Sequence, residues 1–179
     1  STMRKAEELD PLSLSVATGV GRILYFLGKY DEALAQYGRA QTLDPLYAEV
    51  HFATGLTYVQ QGKYREATEA LGEALHLSGG RKIIAASIGH VYALQGNRSG
   101  AETILESIRH PADGSKPQPY LIAVVVRAMG RQEEALDYLE QAYEERDGLL
   151  LYLVADPMTG IDPNHPRLAA LVKKIGLRD

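Results

Sequence analysis

Apolar residues recur three and four apart along most of this chain, in stretches punctuated by glycine, which is the pattern of amphipathic helices joined by tight turns. The spacing predicts helix pairs near 13–27 and 30–43, 47–61 and 64–77, 81–95 and 98–109, and 118–129 and 132–146. The pattern is itself periodic. Gly28, Gly62, Gly96 and Gly130 stand 34 residues apart, and Gly21, Gly55 and Gly89 keep the same interval. So do Ala33, Ala67, Ala101 and Ala135, and the series Ala40, Ala74, Ile108 and Ala142. Pro11 and Pro45 each close a Leu-Asp-Pro. An internal period of this kind predicts a stack of similar helix pairs, each burying its apolar face against the next.

The repeated residues have readable physical roles. In Gly28-Lys29-Tyr30-Asp31-Glu32-Ala33 and Gly62-Lys63-Tyr64-Arg65-Glu66-Ala67 the glycine ends the first helix of a pair, where a left-handed residue is tolerated best without a Cβ. The acids that follow sit in the first turn of the second helix and favour its positive end. Gly21, Gly55 and Gly89 fall in helix interiors, where glycine costs about 1 kcal/mol against alanine. Their expected return is close approach of the two helices, with Ala33, Ala67 and Ala101 as small partners, while Tyr37, Leu71, Leu105 and Leu139 fill the larger space later in the second helix. The fourth unit departs from the pattern, with Ala123 at the mid-helix glycine position and Gln132 at the turn tyrosine.

Four units are expected over 12–146, bounded at 12–45, 46–79, 80–110 and 111–146. Residues 1–11 read as the end of a preceding unit plus a two-residue scar, because Ala6, Leu9 and Pro11 take the register of Ala40, Leu43 and Pro45. The chain is therefore expected to be cut from a longer protein. His110 to Pro119 carries three prolines and predicts a loop that shortens the helix after it. Residues 147–179 are expected to close the stack: a short apolar helix over Leu149–Ala155, a proline-rich turn over 156–166, and an amphipathic helix from Pro166 to Ile175.

The 34-residue period and its Gly, Ala and Pro positions resemble the tetratricopeptide repeat. The resemblance implies an all-α fold, a right-handed α-solenoid whose first (A) helices line a concave groove and whose second (B) helices face outward. Leu9-Asp10-Pro11-Leu12-Ser13, Leu24-Tyr25-Phe26, Tyr30-Asp31-Glu32-Ala33-Leu34, Ser78-Gly79-Gly80 and the ending from Ala142-Tyr143-Glu144-Glu145-Arg146-Asp147 to Lys174-Ile175-Gly176-Leu177 look like the arrays of bacterial multidomain signalling proteins. In that group the repeats follow a winged-helix domain, a nucleotidyl cyclase or a protein kinase domain. The resemblance implies a cytoplasmic scaffold acting for an effector domain outside this sequence.

Projecting the register places Thr18, Arg22, Tyr25 and Phe26 of the first unit towards the groove. The second unit offers Phe52, Leu56, Val59 and Gln60, the third Ala86, Ser87, His90 and Leu94, and the fourth Tyr120, Val124 and Arg127. Arg22, Tyr25, Phe52 and His90 are expected to be exposed there, while Phe26, Leu56 and Leu94 divide between groove and inter-repeat packing. Such a surface suits an extended or helical peptide of a protein partner. Domains of this class that clamp chaperone tail carboxylates resemble one another through lysines and an asparagine on the A helices. Here those positions hold Thr18, Gly19, Phe52, Ala53, Ala86 and Ser87, so that mode is rejected.

Composition narrows the remaining readings. The net charge of −4 offers no general attraction for nucleic-acid phosphates, and no apolar run reaches the length of a membrane span. Cysteine is absent, which excludes thiol nucleophiles and Cys-based metal sites. The five histidines, His51, His76, His90, His110 and His165, lie in separate segments without metal-ligand spacing, and His51 reads as half-buried packing. No cofactor, metal, catalytic residue or small-molecule substrate is expected. Gly19-Val20-Gly21 lies inside a helix, and Ser78-Gly79-Gly80-Arg81-Lys82 reads as an inter-repeat turn rather than a phosphate loop. The acids Glu133, Glu134, Asp137, Glu140, Glu144, Glu145 and Asp147 read as a solvated face. The basic, amphipathic closing helix is expected to pack on the last repeat. The function expected is a non-catalytic protein-interaction module, with self-association (a homodimer) as the alternative.

Overall fold

A glycine at the end of a helix can turn left-handed, and in this chain it does so at each paired-helix junction. A computed structural model describes residues 11–154, 160, 162 and 165–177. Gly28, Gly62, Gly96 and Gly130 have φ between 70° and 82°. At each, the glycine amide donates to the carbonyl three residues back and the next amide to the carbonyl five back. Gly28 thus bonds Tyr25 at 3.0 Å and Lys29 bonds Leu24 at 2.9 Å. This double closure satisfies carbonyls that a helix end leaves open. The same turn ends a helix at Arg146, where an arginine adopts φ 56°.

The helices so delimited are α1 (Pro11–Phe26), α2 (Tyr30–Leu43), α3 (Ala48–Gln60), α4 (Tyr64–Leu77), α5 (Lys82–Leu94), α6 (Arg98–Arg109), α7 (Pro119–Ala128), α8 (Gln132–Glu144) and α9 (Pro166–Ile175). No strand occurs among the described residues, so the fold is an all-α helical repeat. The observed limits agree with the predicted pairs within a few residues. The expected Leu149–Ala155 helix is instead a short 3-10 turn over Gly148–Tyr152. Asp147 caps it by accepting from the Leu149 amide at 3.0 Å. The readings of residues 3–9, and most of that of 156–166, lie outside the described residues. The 110–118 loop is irregular, and α7 has 10 residues against 13 in α3 and α5.

The chain divides into two compact units, residues 1–84 and 85–179. In the first, α1 pairs with α2 and α3 with α4, and α2 packs on α3. Ala33, Tyr37, Ala40, Val50, Ala67, Leu71 and Ala74 are almost wholly buried. The interior glycines allow the close approach predicted, but their partners differ from expectation. A Cβ on Gly21 would lie 2.4 Å from the Tyr37 ring, and one on Gly55 would lie 2.6 Å from Leu71 Cγ. The large side chain of the second helix thus sits in the notch left by the glycine, and the alanines seal the core beside it.

In the second unit, a Cβ on Gly89 of α5 would lie 2.8 Å from Ile104 of α6, so Ile104, rather than Leu105, meets that glycine. Helix α6 packs on α7, α7 pairs with α8, and α9 lies against α8. Residues 119–126 of α7 are all buried. Ion pairs join the B helices: Arg109 Nη2 meets Glu134 at 2.6 Å, and Arg131 meets Glu102 at 3.0 Å. The acid row of α8 is engaged as well. Arg167 of α9 donates Nε and Nη2 to Glu140 at 3.0 and 2.8 Å, Nη2 to Asp137 at 2.6 Å and Nη1 to Glu133 at 3.0 Å. Leu168, Leu171 and Val172 are buried beneath it. The expected solvated face is seen, with Glu133 and Asp137 still 70% and 69% exposed, and these three acids, which lie about one helical turn apart, also face one guanidinium.

Candidate functional site

The A-helix positions projected into a groove separate into exposed and buried sets. In the first unit, α1 and α3 touch each other. Arg22 and Phe26 of α1 are exposed, and Leu56 and Gln60 of α3 are half-buried. Arg22 and Leu56 are equivalent by the 34-residue period, as are Phe26 and Gln60. The four therefore take matching positions on adjacent helices: one cation, one aromatic ring, one aliphatic chain and one amide. Gln61, next to this set, donates to Asp31 at 2.8 Å and so joins α2 to the end of α3.

Tyr25 and Phe52 are buried, which corrects their expected exposure. The Gly28 turn returns the chain so that Tyr30 comes under Tyr25, with ring centroids 6.0 Å apart, and Phe26 packs edge-on to Tyr25 at 5.2 Å. Phe52 belongs to a helix held between α2 and α4, in which Val50, Phe52, Thr54, Gly55, Thr57 and Val59 are all buried. A helix enclosed on two sides keeps only a narrow open face, and a one-residue error in projection then moves a side chain from groove to core.

The second unit encloses its predicted positions further. Ser87, His90 and Tyr120 are buried, as are Ala86 and Val124 and, in the first unit, Thr18 and Val59, so the expected exposure of His90 is also corrected and these projected positions do not face a groove. The His90 ring is held neutral: burial lowers its pKa from 6.5 to about 4. Its Nδ1 donates to the Val124 carbonyl at 3.4 Å, which favours the Nδ1–H tautomer. Arg127 is half-buried and its Nη2 donates to the Gly160 carbonyl. Leu94 remains exposed. The proline-rich loop leads directly into an apolar α7 with no polar side at its start, and such a helix is enclosed all round.

Elsewhere the polar residues have structural employment. His51 is half-buried, its Nε2 donating to the Pro45 carbonyl at 2.7 Å and its Nδ1 facing Gln41 Nε2 at 3.3 Å. The Ser78-Gly79-Gly80 turn is closed internally, as Ser78 Oγ donates to Leu75 O at 3.1 Å and accepts from the Arg81 amide at 3.4 Å. Among the described residues no three histidines or acids gather as a metal site. None of the described helices is long and apolar enough to cross a membrane. The projection missed a further surface on α1, where Val16, Val20, Ile23 and Leu27 are all exposed. Their common spacing was the available signal.

Comparison with known proteins agrees with this architecture. Residues 21–62 match a TPR repeat family model and residues 48–79 a tetratricopeptide repeat model, so tetratricopeptide repeats are present within residues 21–79. No curated protein sequence matches significantly. Among solved structures, a crystal structure of MamA is similar at 21% identity, with a TM-score of 0.55, over 84% of this chain and 88% of that one. The structure of YrrB, described as a TPR protein with an unusual peptide-binding site, is similar at 20% identity, with a TM-score of 0.53, over 97% and 90% of the two chains. These likenesses are of fold.

Proposed function

We propose that this chain is a non-catalytic interaction module that receives a peptide segment of a partner protein on the α1–α3 face of its first unit. The observation that carries this reading is the matched exposure of Arg22 and Phe26 beside the half-buried Leu56 and Gln60 on two touching helices. Phe26 and Leu56 supply apolar anchoring, Gln60 supplies an amide for a peptide backbone, and Arg22 favours an acidic residue in the ligand. Tetratricopeptide repeats over residues 21–79, and the peptide-binding site named for YrrB, support this use of the fold. The four-unit organisation of 12–146 and the cytoplasmic, effector-linked setting of the bacterial signalling arrays form part of the same proposal. The remaining predicted positions, Tyr25, Phe52, Ser87, His90 and Tyr120, act beneath the surface as support.

The test selects peptides from a displayed library on the purified chain and measures their affinity by titration calorimetry. Arg22→Glu combined with Phe26→Ala is expected to weaken the selected peptides about tenfold or more, as loss of a charge contact and an aromatic anchor does, with an unchanged melting temperature. Peptides that bind the variant as well as the parent overturn the site. A second reading is self-association of the module, which the exposed apolar row on α1 favours.

A further inference from the structure

The α1–α3 face carries one uncompensated charge. Arg22 is the single charged residue of α1, is exposed, and joins no ion pair among the described residues. The acid of α3, Glu49, is held by Arg81 at 3.0 Å. The other acids of the first two helix pairs, Asp31, Glu32, Glu66, Glu69 and Glu73, stand on α2 and α4. Among the described residues this face therefore presents a cation that no carboxylate of the chain neutralises. Leu56 and Gln60 keep part of their surface open although α3 is held between α2 and α4, so the face does not depend on α1 alone.

We propose, resting on the peptide-binding reading above, that the segment received here is extended and reads acid-x-apolar. Its carboxylate meets Arg22 and, two residues away, an aromatic or aliphatic side chain meets Phe26. Four residues of helix separate Arg22 from Phe26, a rise of about 6 Å. In an extended chain, side chains two apart point the same way and stand about 6.7 Å apart, so one side of the ligand reaches both. Adjacent ligand residues point to opposite sides and do not. Gln60, which takes the place of Phe26 one period on, has an amide that both donates and accepts. An extended backbone offers it open N–H and C=O groups, whereas a helix has already bonded its own. Leu56, which takes the place of Arg22, sets an aliphatic surface beside the ion pair, where screening by salt is weaker than in open water. A basic segment is refused at the same point, because its cation would face Arg22.

A displayed random library selected on the whole chain is expected to enrich Asp or Glu two positions from Phe, Leu or Ile. Selection on Arg22→Glu is expected to replace that acid by Lys or Arg at the same spacing. The tightest peptide selected on the parent, blocked at both ends, is then remade in two forms. One has its acid changed to the amide, and the other has a serine inserted between acid and apolar residue. Titration calorimetry is expected to show each change weakening binding to the parent at least about tenfold. The acid-to-amide change is expected to make no difference on Arg22→Ser. If Arg22→Glu misfolds by circular dichroism, Arg22→Ser decides alone. Selected peptides that lose binding in Phe26→Ala but carry no acid overturn the proposal and leave the peptide site standing. So do peptides that carry the acid at another spacing, such as the four residues of a helical ligand. Peptides indifferent to both Arg22→Glu and Phe26→Ala remove the site, and the proposal with it.

Discussion

Helices α1 and α8 carry opposite outer rows, both of them exposed, and only the acidic one has a described partner within the chain. The row on α8 is acidic, Glu133, Asp137 and Glu140, yet it is engaged by Arg167 of α9 while Leu168, Leu171 and Val172 bury beside it. The row on α1 is apolar, Val16, Val20, Ile23 and Leu27, yet it is bare. Hydropathy assigns the acids to solvent, where Glu133 and Asp137 stay 70% and 69% exposed, but it would assign the aliphatics to core. In a stack of helices each face is decided by whether a neighbour follows, and one arginine on that neighbour is enough to turn an acid row into a docking row. The docked ions also leave a titration signature: the hydrogen bonds from Arg167 hold the Glu140 carboxyl below its ordinary pKa.

The comparison breaks most directly by truncating one residue on each row. Leu171→Ala in α9 is expected to destabilise the second unit by about 2–5 kcal/mol through the cavity it leaves. Ile23→Ala on α1 is expected to stay within about 0.5 kcal/mol at low protein concentration. Denaturant unfolding followed by circular dichroism reads both. An Ile23→Ala cost as large as that of Leu171→Ala would mean that α1 is covered within the chain.

Acidification separates the units next. His90 has a folded pKa of about 4 against 6.5 in an exposed chain. Between those values the unfolded state binds more protons. The stability this neutral ring provides is complete above about pH 6.5 and falls as the pH drops towards 4, by up to roughly 3 kcal/mol. Denaturant midpoints at pH 7 and pH 4.5 are expected to differ in the parent and to converge in His90→Gln. An unchanged slope in that variant would place the acid sensitivity elsewhere.

The interior glycines give a smaller pair of opposite signs within the first unit. Gly55→Ala drives a methyl against Leu71 and is expected to cost about 1–3 kcal/mol. Gly72 of α4 has nothing within 4 Å of its would-be Cβ, and Gly72→Ala is expected to stabilise by up to about 1 kcal/mol. Thermal melts of the two variants are expected to move in opposite directions. Smallest of all, Arg146→Gly relieves a left-handed arginine in a turn that the A helices close with glycine, and is expected to stabilise by about 0.5–1 kcal/mol. A lower melting temperature would show that the Arg146 side chain contributes more than its backbone strain removes.

Much of this was legible before any coordinates. The 34-residue period located the helix pairs, and the terminal glycines announced left-handed turns that the backbone adopts. The interior glycines announced close helix approach, although Tyr37, Leu71 and Ile104 fill the notches rather than the alanines beside them. The candidate site was legible only as a set of A-helix positions. Arg22 and Phe26 keep the exposure that a site needs, whereas Tyr25, Phe52, Ser87, His90 and Tyr120 do not.

The division follows from range. Helix start, helix end and repeat length depend on residues within a few positions of one another, because capping, left-handed turns and the 3.6-residue period are local. Exposure depends on what the next helix brings. Tertiary structure alone decided that one guanidinium gathers three carboxylates, and that the apolar row of α1 meets solvent while its counterpart one period later is buried. Each of these is a contact between helices separated in sequence, and local periodicity carries no information on whether the partner is there.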